Sequence, residues 1–203
     1  MTTPIIDTHV HFWDPSRLTY PWLASVQSLQ HAFTPTDYRS EFSSVPIEKM
    51  VFVECNVRAD QCEQAVAWIE SLVPDEPRLA AIVAFADLTV AGERARTGQP
   101  DRLLAQPLVA SIRHNIQGEA RGSRLQVSFV VGVQTIHRLG APFELCVTHD
   151  QLDDVSELSD CAAQAALWST TAEFARSLTA TWSEIQQARF YRDSAINFYR
   201  VNP

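Results

Sequence analysis

Short apolar runs alternate with amphipathic stretches along most of this chain. Pro4-Ile5-Ile6 leads into Asp7-Thr8-His9-Val10-His11, and further runs follow at Lys49-Met50-Val51-Phe52-Val53-Glu54, Leu79 to Phe85, Leu108 to His114 and Phe143 to His149. Runs of this length, rich in β-branched residues, predict buried parallel strands. Between them, Ala65, Val66, Ile69 and Leu72 recur at helical spacing and predict a helix over 61–72, stopped by Pro74 and Pro77. Shorter helices are expected over 98–104 and over 128–139, the latter closed by Gly140. Asp14 to Val45, with Thr19-Tyr20-Pro21-Trp22-Leu23, reads as a long ordered loop. Strand–helix alternation of this kind predicts an α/β fold of (β/α)8 type.

The alternation stops early. Ala162 to Leu178 reads as a helix, and Ser183-Glu184-Ile185-Gln186 as a capping box opening another that runs to about Tyr199. A closed barrel needs eight strands and typically about 250 residues. Here five strands are expected in 203 residues. The fold expected is therefore an incomplete barrel: about five parallel strands plus C-terminal helices, in a single domain over 1–203 that is internally shortened near 158–166.

The ends of the strands carry the candidate chemistry. On an extended chain, residues two apart point the same way, so His9 and His11 face one spot. Two neutral imidazoles there suit a divalent transition metal. Glu54, Asp87, Arg113, His114 and His149 also stand at the ends of their strands. Polar residues at the C-terminal ends of parallel strands are the layout of a barrel active site. For Glu54 two roles stay open, a carboxylate ligand or a strand-end residue paired with an arginine. His31 and His137 read as structural.

Composition narrows the setting. The net charge of −8 argues against nucleic acid and anionic membrane surfaces as partners. No run of 18 apolar residues predicts a spanning helix, and no secretory leader is visible, so a cytoplasmic location is expected. Cys55, Cys62, Cys146 and Cys161 show no C-x-x-C spacing and read as reduced thiols.

Taken in order, Ile6-Asp7-Thr8-His9-Val10-His11-Phe12-Trp13-Asp14-Pro15, Tyr20-Pro21-Trp22-Leu23, Val51-Phe52-Val53-Glu54, Ile112-Arg113-His114-Asn115-Ile116-Gln117 and Phe143-Glu144-Leu145-Cys146-Val147-Thr148-His149-Asp150-Gln151-Leu152 resemble the amidohydrolase-related family, in its sugar-lactonase-like branch. The tail Arg189 to Tyr199 is similar to the helix that closes such chains. The resemblance implies hydrolysis of a sugar-acid lactone, a small-molecule substrate, in carbohydrate catabolism. It implies a metal (Zn²⁺ or Mn²⁺) on His9, His11 and Glu54, although some members work with none. It implies Arg113 and His149 as substrate contacts and His114 as a catalytic group at the developing oxyanion. The family's sixth- and eighth-strand motifs are missing, and with them the aspartate that moves the proton; Ser159-Asp160 is the remnant candidate, making Asp160 the catalytic aspartate. Judged against a typical barrel, about 70 to 90 residues are missing. Open sheet edges would then predict self-association into a homo-oligomer. The alternatives are a non-catalytic remnant that binds metal or a partner, and a decarboxylase of the same superfamily.

Overall fold

The computed structural model of the chain describes residues 4–88, 98–120, 126–148, 151 and 194–200. Among these are five strands: β1 (Ile5–Val10), β2 (Ile47–Val53), β3 (Leu79–Phe85), β4 (Val109–Asn115) and β5 (Phe143–Cys146). The helices are α1 (Pro35–Glu41), α2 (Cys62–Glu70), α3 (Gln99–Leu104), α4 (Val127–Arg138) and α5 (Ser194–Tyr199). The strand order is β1-β2-β3-β4-β5, so strands adjacent in sequence are adjacent in the sheet. The β1–β2, β2–β3 and β4–β5 pairings are parallel, each reached through an intervening stretch that contains a helix. This is the expected (β/α) arrangement in incomplete form. No helix among the described residues is long and apolar enough to cross a membrane.

The chain divides into two compact units, one formed by Met1–Val83 with Thr170–Pro203, the other by Ala84–Ser169. In the first, Met50, Val51, Val53, Ile82 and Val83 are fully buried, as is Ile69 of α2. In the second, Ile112 of β4 and Phe129, Val133 and Ile136 of α4 form the core. Phe129, Val133 and Ile136 recur at helical spacing, which gives α4 one apolar face to bury.

Among the described residues the strand and helix expectations hold with shifts of one or two residues at most ends; the expected helix over 162–178 and the capping box at Ser183 lie outside the described residues. β5 ends at Cys146, three residues short of the expected His149, which itself lies outside the described residues. The larger correction is α1, inside the stretch read as loop. Its start has a local cause: Thr34 Oγ1 and its backbone N–H both donate to Asp37 Oδ2, at 2.8 and 2.7 Å, and Pro35 takes the first helical position. A capping box with proline at that position needs no longer hydrophobic pattern to start a helix.

Gly132 marks where α4 comes closest to the chain after β3. A Cβ there would lie 2.9 Å from Leu88 Cδ2 and 3.2 Å from Leu88 Cβ, and Leu88 is buried. Overpacking typically costs about 1–3 kcal/mol, whereas alanine recovers about 1 kcal/mol of helix propensity. Gly132→Ala is therefore expected to lose about 1 kcal/mol net in urea denaturation. Gly132→Val, larger and β-branched, should lose more; a stabilised valine variant would refute the close packing.

Candidate metal and hydrolase site

β1 and β2 bring the first group of candidate residues together. His9 Nε2 and His11 Nε2 stand 3.1 Å apart, with the rings nearly perpendicular at 88°. His11 Nδ1 lies 2.8 Å from the carbonyl oxygen of Val53, the last residue of β2. A carbonyl only accepts, so the His11 proton is on Nδ1 and its Nε2 offers a lone pair. That lone pair faces the His9 nitrogen, and two lone pairs at this distance repel unless a proton or a cation lies between them. The separation also suits a metal: two imidazoles on a tetrahedral Zn²⁺ at about 2.0–2.1 Å would have nitrogens about 3.3 Å apart. A carbonyl holding the second ring nitrogen is the usual support for a ligating histidine. The pair thus fits a divalent transition metal as two of its ligands. Among the described residues no group of three His, Cys, Asp or Glu side chains meets in metal-binding geometry.

Glu54 follows β2 directly and is buried. Its Oε2 accepts the backbone N–H of Asn56 at 2.7 Å, turning the carboxylate back over its own strand end. Asn56 takes a positive φ of 54°, a conformation asparagine tolerates better than most residues. The segment after β1 is fastened to the same strand end: Trp22 Nε1 donates to Cys55 O at 2.7 Å and the Cys55 thiol donates to Phe12 O at 3.3 Å. Trp13 and Phe33 form an isolated antiparallel bridge, with hydrogen bonds of 3.0 and 2.8 Å.

Two residues here escaped the sequence reading. Asp7 Oδ1 accepts the His9 backbone N–H at 3.1 Å, and its Oδ2 accepts the Tyr38 hydroxyl at 2.7 Å. Burial, reinforced by this bond to Asp7, pushes the Tyr38 phenol well above its ordinary range, so it stays protonated as a donor. The capping signature Thr34-Pro35-Thr36-Asp37 could have announced α1, and with it Tyr38.

The second unit carries Arg113 and His114, both buried on β4. Adjacent on a strand, they leave on opposite faces. His114 Nδ1 lies 3.2 Å from Leu88 N and 3.0 Å from Ala86 O, and its Nε2 is 3.3 Å from Glu119 Oε1. A proton on Nε2 lets the ring accept the Leu88 N–H and donate to Glu119, whereas a proton on Nδ1 lets it donate to Ala86 O, so these contacts allow either tautomer. The ring lies 5.4 Å from that of Phe85 and 5.3 Å from that of Phe129. Gln151 is buried and ties the end of this unit together, accepting the Thr148 N–H at 3.0 Å and donating to Ile116 O at 3.0 Å. His149 and Asp160 lie outside the described residues.

No protein-family model matches the chain. Over 168 residues it is 27% identical to L-fucono-1,5-lactonase of Burkholderia multivorans, a match covering 80% of the chain and 53% of that enzyme. The chain thus spans about half the length of the curated relative it matches. A solved amidohydrolase from Burkholderia multivorans with bound HEPES superposes with a TM-score of 0.66 at 24% identity, over 87% of this chain and 62% of that one. Another crystal form, with bound zinc, gives a TM-score of 0.64 at 16% identity, covering 98% of this chain and 99% of that chain. At these identities the solved structures speak for the fold. The chain is amidohydrolase-like: an incomplete (β/α)8 barrel with the fold of the solved amidohydrolases and a sequence similar to L-fucono-1,5-lactonase.

Proposed function

We propose that the chain belongs to a hydrolase that opens a sugar-acid lactone with a divalent metal, zinc or manganese, held by His9 and His11. The observation that carries this reading is the convergence of the two Nε2 atoms at 3.1 Å, with His11 oriented from behind by Val53 O. The likeness to L-fucono-1,5-lactonase and the zinc in a solved relative support it. In this reading residues 1–203 are one amidohydrolase-related domain, shortened near 158–166. When bound, the ion supplies Lewis acidity for the lactone carbonyl and lowers the pKa of an attacking water. The chain's own residues supply the rest. His9 and His11 hold the ion, with Glu54 at the next strand end as the carboxylate. Arg113 pairs with the substrate carboxylate, for which its planar fork is suited. His114 is the group for the developing oxyanion, and His149 is a further substrate contact. Water adds to the carbonyl carbon, the ring C–O bond breaks, and the proton lost by water goes to the leaving oxygen, giving a hydroxy acid. Asp160 is the residue assigned to that proton transfer.

A second reading rests on the match to about half of a lactonase: a non-catalytic remnant that keeps the metal pair. Hydrolysis of a panel of sugar-acid lactones by the purified chain separates the two. Turnover with added Zn²⁺ or Mn²⁺, lost on chelation and restored by metal, is the result expected of the hydrolase. Zinc binding without turnover, under conditions where a full-length relative works, overturns it in favour of the remnant.

A further inference from the structure

β1 does not run in step with β2. Asp7 pairs with Met50 and Val10 with Phe52, so three steps along β1 answer two along β2. The extra residue falls at Thr8–His9, and an irregularity of this kind re-aims side chains and takes a backbone group out of the ladder. Here the His9 N–H goes to Asp7 Oδ1 at 3.1 Å. The other oxygen of the same carboxylate takes the Tyr38 hydroxyl at 2.7 Å, from α1. Tyr38 is itself fixed: its ring stacks on Phe42, with centroids 4.6 Å apart, and meets Phe12 edge-on at 6.2 Å. Phe12 is buried directly after His11.

We infer that Asp7 and Tyr38 are positioning residues: the carboxylate bridges a side chain of α1 to the His9 backbone and so keeps His9 aimed at His11 across the register shift. The role of the bridge in metal binding rests on the metal reading of the histidine pair; the hold on His9 does not. The Asp7 carboxylate accepts the His9 amide where the register slips, and this short-range bond fixes the turn at Thr8–His9. Asparagine keeps the acceptor oxygen for His9 and can offer its NH₂ to the phenol oxygen. Alanine removes both contacts, and Tyr38→Phe removes one.

The test uses the full 203-residue chain, with zinc as the probe. Two readouts are needed: zinc affinity by calorimetric titration, and hydrogen exchange of the His9 amide in metal-free protein. Partners behind a ligating histidine typically matter about 10–100-fold in metal affinity. Asp7→Ala is expected to weaken zinc by about that factor and to speed exchange of the His9 amide at least about tenfold. Tyr38→Phe should weaken zinc by a smaller factor, and Asp7→Asn should restore both readouts to within about threefold of the parent. Thermal unfolding shows that each variant is folded. Wild-type zinc affinity and unchanged His9 exchange in folded Asp7→Ala overturn the inference. If the parent chain itself fails to bind zinc, the metal reading falls, and His9 exchange still decides whether the bridge holds the bulge. A folded Asp7→Asn variant as impaired as Asp7→Ala would also overturn it, since the acceptor oxygen is retained.

Discussion

Replacing Glu76 by alanine is expected to remove about 3 kcal/mol of folding stability, read from urea denaturation at neutral pH. Glu76 is the most deeply buried carboxylate among the described residues, its side chain 2% exposed, and it serves two guanidinium groups. Arg78 Nε and Nη2 donate to it at 2.7 and 2.9 Å, and Arg39 Nη1 at 3.0 Å. Removing one partner of a buried ion pair costs about 3–5 kcal/mol, because the charges left behind have lost their solvation. The lower end applies here, since the orphaned Arg39 and Arg78 are 42% and 29% exposed and can turn to water. Arg78→Met should cost a comparable amount, because it leaves the buried carboxylate with Arg39 as its remaining ion-pair partner among the contacts described. A loss below about 1 kcal/mol for both variants would show that the cluster is worth no more than a surface pair. The cluster also carries a pH signature. The Arg78 hydrogen bond, with further help from Arg39, holds the Glu76 carboxyl below its ordinary 4.5. A carboxylate depressed in the folded state contributes stability above its ordinary value and loses it as pH falls through the folded one. Stability should therefore drop in acid below about pH 4.5, and Glu76→Gln should flatten that drop. Arg39 sits on α1 beside Tyr38, so the cluster also anchors the helix that reaches Asp7.

The double variant His9→Ala/His11→Ala is expected to lose zinc by at least about a thousandfold and lactone turnover with it. A four-ligand zinc site is worth about 10–16 kcal/mol, so each nitrogen carries about 3 kcal/mol and two carry more than about 4 kcal/mol, which is three powers of ten. Stability should change little: His9 is exposed and His11 half-buried, and neither fills the core. His11→Ala alone should be the more damaging single change, because the Val53 carbonyl fixes the His11 tautomer and holds its ring in place. Equal zinc affinity in the parent and the double variant would remove the metal from this strand end.

The sheet was legible because its signal is local. Val51-Phe52-Val53 and Ile82-Val83-Ala84 are unbroken apolar runs, and runs that short between amphipathic stretches have few other uses. The histidine pair was legible for the same reason, since two residues two apart on a strand share a side whatever the rest of the fold does. α1 was missed because its seven residues carry no apolar stripe; its only mark is the Thr34–Asp37 cap, three residues apart. Asp7 was missed because its partner, Tyr38, is 31 residues away and no periodicity connects them. His114 was read from its place at a strand end, whereas its immediate surroundings, Ala86, Leu88, Glu119 and Phe129, come from three separate stretches. Strand position shows which end of a strand a residue occupies but cannot say which backbone groups will meet its ring.

The bridge between Trp13 and Phe33 has a consequence for how such a protein can change. It pins the two ends of the segment 14–32 together beside the histidine strand. Once the ends are fixed, lengthening the segment costs only about 0.6 kcal/mol for each doubling. The exposed positions of 14–32 can therefore gain, lose or exchange side chains while β1 stays where it is, with buried Leu18, Tyr20 and Leu23 and the Trp22 bond to Cys55 O as the fixed points. Variety can accumulate at those exposed positions over many generations without disturbing the histidines.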